Sequence, residues 1–254
     1  MDPLFEYPTF YVDDSAVEIS GKKHVILAAI AFRDEDRVLT DWLSQKSMFG
    51  LPPHQEVKWG NRSLSFEQRR EFVPILNRGT GIVVIYEGNQ QSAAVKLLEQ
   101  VWSYAQQEGK KGFRVRFDKG IVQDWPELRK IAASYFPPCV GLSDHDSASE
   151  QLVQCADFLA GSVKLKIDFG LGTRDKNRKI DDQEIGITEI GFFFFAALRD
   201  CLWGEVRDYG DGIETYMPLK HTRNKGLTVV SSLAGEVLES AISFLDGDYM
   251  GSIR

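Results

Sequence analysis

Residues 149–167 read SEQLVQCADFLAGSVKLKI, a helical stretch that carries a carboxylate inside an apolar shell. Leu152, Val153, Cys155, Ala156, Phe158, Leu159 and Val163 leave almost no polar face around Asp157. A helix that is apolar nearly all round is buried. A buried carboxylate costs several kcal/mol unless it is paired, neutralised or bound to a metal. Any fold of this chain must therefore bury the helix and bring Asp157 either a basic partner, Arg114 or Arg116, or companions for a shared cation.

The rest of the chain supplies the layers that could bury it. Apolar runs over Thr9–Val12, His24–Phe32, Thr80–Gly88, Phe113–Gly120 and Cys139–Ser143 read as strands. Helical spacing marks DEDRVLTDWLSQKSMFG, QSAAVKLLEQVWSYAQQEG and DWPELRKIAASYF. Ser65 followed by Gln68 is a capping box that starts a further helix. Strands followed by alternating helices and strands predict one α/β domain with a mixed sheet over residues 1–254, its core at about 8–165. Residues 166–254 hold a polar insert, Gly170 to Gly186, expected to be a mobile loop. Helices around Thr188–Trp203 and Leu233–Phe244 are expected to flank the segment GIETYMPLKHTRNKG.

A chain of 254 residues is one large domain or two small ones. Its net charge of −7 excludes a surface coated with basic groups but leaves room for a local basic groove. Cys139, Cys155 and Cys201 sit in apolar surroundings without close pairing, as buried thiols in a reducing compartment do. Asp2 and Glu6 stand where a secretory leader needs basic residues, and IGFFFFAAL is far short of the roughly 18 apolar residues of a membrane span. The expected location is cytoplasmic. Without G-x-S-x-G, P-loop or G-x-G-x-x-G motifs, a serine hydrolase, a nucleotide triphosphatase and a dinucleotide enzyme are disfavoured.

Three more acidic residues resist a solvated reading. Asp13 ends the first strand in YVDDSA, Asp118 ends FRVRFD, and Glu56 lies in HQEVKW between prolines and a tryptophan. Two strand ends and one helix can gather Asp13, Asp118 and Asp157 at one edge of a sheet. Clustered carboxylates suit hard divalent ions such as Mg²⁺ or Mn²⁺. Two such ions about 3.5–4 Å apart can hold the attacking water and the leaving oxygen of a phosphodiester.

YVDDSA, QEVKWG, VRFDKG and QCADFLAG, in that order, resemble the motifs of a bacterial family of uncharacterised proteins, domain-of-unknown-function family 3800. The resemblance covers roughly residues 10–165. It implies a ribonuclease H-like fold, a mixed five-stranded sheet with helices on both sides, and a metal-dependent nuclease site with Asp13, Glu56, Asp118 and Asp157 as ligands. It also implies an association with phage defence or mobile elements. The chain departs from the family at Asp14, where Glu is usual, and at Ala16, where Gly is usual. Strand alternation points Asp14 away from Asp13, so it is expected to be a turn residue.

Lys58 could contact a phosphate, position water or pair with Glu56; Trp59 is expected to pack. Asp144, His145 and Asp146, in the segment leading to the Asp157 helix, could lie near the site or cap that helix. Binding a polyanion needs a focused basic surface. The candidates are Arg114 and Arg116, the loop residues Arg174, Lys176, Arg178 and Lys179, and Lys220, Arg223 and Lys225. A partner protein is the other source of such a surface. Two functions follow: a divalent-metal-dependent nuclease acting on DNA or RNA, or a non-catalytic nucleic-acid- or protein-binding subunit that keeps the fold.

Overall fold

The computed structural model describes residues 6–60, 64–170, 177–180, 183–186, 201–208, 220–224 and 226–232. Its centre is a long hairpin. Strand β1 (Thr9–Ile19) runs antiparallel to β2 (Lys22–Phe32). Ser20 (φ 50°) and Gly21 (φ 77°) make the turn, both in the left-handed region that a tight hairpin of the I′ kind demands. Strand β3 (Gly79–Glu87) lies antiparallel on β2, while β4 (Phe113–Asp118) and then β5 (Cys139–His145) lie parallel on the other side of β1.

The helices cover both faces. Helix α1 (Glu35–Met48) starts at Asp34, which caps Arg37 N–H. Helix α2 (Phe66–Phe72) opens with the Ser65–Gln68 capping box and continues as a 3-10 turn, Val73–Arg78. Helices α3 (Gln90–Gln107) and α4 (Trp125–Tyr135) pack on one face of the sheet; α1, α2 and the long α5 (Gln151–Gly170) pack on the other. Phe158 of α5 sits among Trp42, Phe72 and Trp59, with ring centroids 5.2–5.5 Å away.

Several expectations are corrected. Asp13 does not end its strand: β1 runs on to Ile19, because Val17 and Ile19 continue the buried alternation, and Asp13 stands opposite Ala28. Ala16 pairs with Val25 and lies in no turn, and Asp14 is likewise a strand residue. The sheet has six strands rather than five. Strand β10 (Leu227–Val230), a β-branched run, adds parallel to the outer edge of β3. Inside the insert expected to be a loop, β6 (Asn177–Ile180) pairs antiparallel with β7 (Gln183–Gly186). In the segment expected between the two late helices, β9 (Lys220–Asn224) pairs antiparallel with β8 (Gly204–Asp208). Polar strands of four or five residues carry too little apolar alternation to be read from sequence. Cys201–Trp203 does not continue the helix expected around Thr188–Trp203, because Leu202 bridges to Gly81 of β3; residues 187–200, and the helix expected over Leu233–Phe244, lie outside the described residues. No described helix is long and apolar enough to cross a membrane.

Candidate metal centre

Pairing geometry brings the first two carboxylates together. Val12 of β1 pairs with Phe117 of β4, so Asp13 and Asp118 are next in line on parallel neighbours about 4.8 Å apart. Residues 11, 13, 15, 17 and 19 share one face of β1, and Tyr11, Val17 and Ile19 are in the core beneath α5. Arg114, Arg116 and Asp118 share that face of β4, since Phe113, Val115 and Phe117 belong to the opposite core. Asp13 (4% exposed) and Asp118 (8%) are both buried there.

Glu56 and Lys58 come from a segment without helix or strand, and buried side chains hold it in place. Lys46 of α1 is buried and donates to the carbonyls of Pro53 and Gln55 at 2.5 Å each. Gln154 of α5, also buried, accepts Val57 N–H at 3.1 Å and Trp42 Nε1–H at 3.3 Å. Its amide donates to Ser147 O at 2.6 Å. Ser147 in turn donates its N–H to Asp118 Oδ1 at 3.1 Å and its hydroxyl to Glu56 Oε1. Lys46, Ser147 and Gln154 were not among the sequence candidates. Gln154 was within reach of sequence reasoning, as a second polar residue on an apolar helix three positions before Asp157.

Asp157 accepts the backbone N–H of Trp59 at Oδ2. That contact requires Trp59 to lie hard against α5. Gly161 allows it: a Cβ there would meet the Trp59 ring at 2.1 Å. Trp59 packs, as expected, and its carbonyl accepts Arg69 Nη1–H at 2.9 Å. Among the described residues no arginine pairs with Asp157. Arg116 lies 3.1 Å from Glu150 and donates to Tyr11 Oη at 3.4 Å; Arg114 is exposed and stacks over Tyr7.

Lys58 stands among the acids. Its Nζ is 3.3 Å from Glu56 Oε1 and 3.4 Å from Asp118 Oδ2. Burial works against its charge, but Asp13, Asp118 and Glu56 outweigh burial and raise its pKa above the usual lysine value. Asp13 is pushed well above the carboxylate range, first by burial and then by repulsion from Asp157 and Asp118. Burial also raises Asp157, with Asp118 and Glu56 adding to it and the Trp59 N–H and Lys58 opposing it. Asp13 Oδ1 accepts Asp14 N–H at 2.7 Å, whereas the buried Asp13 Oδ2 has no hydrogen-bond partner among the described residues.

That orphaned oxygen fits a cation: it is buried beside two more carboxylates, and a cation there would favour the charged form that burial and repulsion disfavour. Among the described residues, however, no set of three or more His, Cys, Asp or Glu side chains stands ready to hold a metal ion as placed. Lys58 is the group that lies between them.

The remaining candidates scatter. Asp14 points to the opposite face, where Gln90 Nε2 donates to its Oδ2 at 2.9 Å. Asp144 and His145 belong to β5 rather than to a loop, because β4 carries the pairing to Asp118↔His145. Asp144 is exposed, and His145 Nε2 lies 2.9 Å from Ser143 Oγ. Asp146 is exposed and accepts Ala148 N–H at 2.9 Å, a local turn contact. Arg178 and Lys179 fall on β6, Lys220 and Arg223 on β9. Arg174, Lys176 and Lys225 lie outside the described residues. No family model, no curated protein and no solved structure matches the chain.

Proposed function

We propose that this chain is a divalent-metal-dependent nuclease with a ribonuclease H-like fold, related to domain-of-unknown-function family 3800. Asp13, Asp118, Asp157 and Glu56 would hold Mg²⁺ or Mn²⁺. The observation that carries the proposal is the buried, unpartnered Asp13 Oδ2 beside Asp118 and Asp157. The mixed sheet with helices on both faces, and the order in which the four acids occur along the chain, support it.

A bound ion would polarise a phosphodiester and lower the pKa of its water. The chain's own residues supply the frame. Asp13 and Asp118 come from adjacent strands, Asp157 from the helix above them, and Ser147 fixes one oxygen each of Asp118 and Glu56. Hydrolysis adds a water oxygen to phosphorus and expels the sugar oxygen, which leaves with a proton from that water. DNA or RNA is the proposed substrate, with Arg114 as the exposed guanidinium on the strand that leads to Asp118.

Incubation of the purified protein with labelled DNA and RNA in Mn²⁺ tests the proposal. Cleavage that disappears in Asp13→Asn and in Asp118→Asn is expected; cleavage that survives both substitutions together eliminates this site. The ion pairs of Lys58 favour a second reading, in which the cluster is satisfied by a basic side chain and the protein binds nucleic acid or a protein without cutting. That reading leaves Asp13 Oδ2 without a partner.

A further inference from the structure

We propose that the Lys58 ammonium is the resident cation of the carboxylate cluster, and that a divalent ion enters only by displacing it. This inference rests on the metal-site reading above. Lys58 Nζ contacts Glu56 at 3.3 Å and Asp118 at 3.4 Å, longer than the roughly 2.7–2.9 Å of a charge-assisted hydrogen bond. The ammonium is therefore held by charge from several sides rather than locked to one acceptor. It does not satisfy Asp13 Oδ2, so its single positive charge offsets the cluster only in part and leaves its coordination incomplete.

The way out is also set by the structure. Val57 N–H is fixed to Gln154 and Trp59 N–H to Asp157, so the backbone on both sides of Lys58 is pinned to α5. The side chain itself is 39% exposed. Exchange is then a swing of one long side chain into solvent, with no loop opening. A divalent ion on Asp13 and Asp118 would stand within a few ångströms of the ammonium, and two cations cannot share that space. Lysine therefore holds the carboxylates together when metal is scarce, and metal affinity is set by the competition between the two.

Two measurements on the full chain decide this. Calorimetric titration with Mn²⁺ compares wild type with Lys58→Met. The variant is expected to bind at least tenfold more tightly. In a parallel experiment, the ¹⁵Nζ signal of Lys58 in wild-type protein is followed during Mg²⁺ addition. It is expected to shift with the same midpoint as calorimetric Mg²⁺ uptake, and this readout decides alone if Lys58→Met does not fold. Equal or weaker Mn²⁺ binding by the variant, or an unmoved Lys58 signal at saturating Mg²⁺, overturns the exchange while leaving the metal site standing. Absence of Mn²⁺ and Mg²⁺ uptake by wild type and variant alike overturns the metal site and the exchange with it.

Discussion

On the α3–α4 side of the sheet, Phe10, Val12, Leu27, Val84, Val115 and Phe117 meet Leu97, Leu98, Val101 and Leu128. On the α5 side, the alternate residues of the same strands present Tyr11, Asp13, Ile26, Ile30, Arg116 and Asp118. Among the described residues, the buried polar and charged side chains are Asp13, His24, Lys46, Asp118, Ser147, Gln154, Ser162 and Asp168, and all belong to the α5 side or to elements that cover it. One face is a plain hydrophobic layer whose worth is its buried area. The other gives up part of that area to hold charge. Asp13 and Asp14 show the difference one residue apart. Asp14 has an amide partner from Gln90, while Asp13 keeps one oxygen without any.

The contrast can be broken by substitution. The largest effect is expected from Asp13→Asn or Asp118→Asn: Mn²⁺ uptake and cleavage should fall by more than the 10–100-fold typical of residues that only orient metal ligands. Metal-free Asp13→Asn should at the same time be more stable than wild type, since a carboxylate that burial disfavours has been removed. Denaturation in EDTA checks the second half. Leu97→Ala, on the plain face, should cost about 2–5 kcal/mol of stability and leave Mn²⁺ affinity unchanged. A matching loss of affinity would mean that the two faces are not separable.

Gln154→Leu comes next. It keeps the apolar surroundings but frees Val57 N–H and Ser147 O, and should weaken Mn²⁺ binding about 10–100-fold. Gly161→Ala pushes Trp59 away from α5 and should cost about 1–3 kcal/mol, with weaker metal binding because Asp157 loses its N–H donor.

The pH dependence separates the faces without mutation. Asp13 and Asp157 have folded pKa values raised above the unfolded carboxylate value of about 4. The folded state therefore binds more protons than the unfolded one between those limits, and metal-free stability should decline as pH rises from about 4 through the raised values. Mg²⁺ should flatten the decline, and so should Asp13→Asn. The smallest effect is expected of Asp14→Asn, within about 0.5 kcal/mol and without change in Mn²⁺ uptake.

The parts of this architecture that repeat with a period were legible in the chain. The apolar runs of the first five strands, the Ser65–Gln68 capping box and the all-round apolar helix at Asp157 each carry a local signal of two to three turns or four to nine residues. Asp13, Glu56, Asp118 and Asp157 stand out in the sequence because acids are costly in such surroundings. The extension of β1 beyond Asp13 was missed because Asp13–Asp14–Ser15 interrupts the apolar alternation, and only pairing with the β2 run Leu27–Ala28 carries the strand through. Lys46, Ser147 and Gln154 were missed for a different reason. Their roles depend on contacts 7 to 112 residues apart in sequence, made to loop backbone, to the Glu56 and Asp118 carboxylates and to the Trp42 indole, none of which repeats with a period. Lys58 was recognised, but its position between Glu56 and Asp118 is a product of the tertiary fold.

The most direct test of the central claim is a crystal soaked in Mn²⁺ and measured at the manganese edge. The account predicts an anomalous peak within coordination distance, about 2.0–2.2 Å, of Asp13 Oδ2, shared with Asp118 or Asp157, with Lys58 Nζ moved off the cluster. Saturating Mn²⁺ with no peak at Asp13, and Lys58 still resting between Glu56 and Asp118, would contradict it.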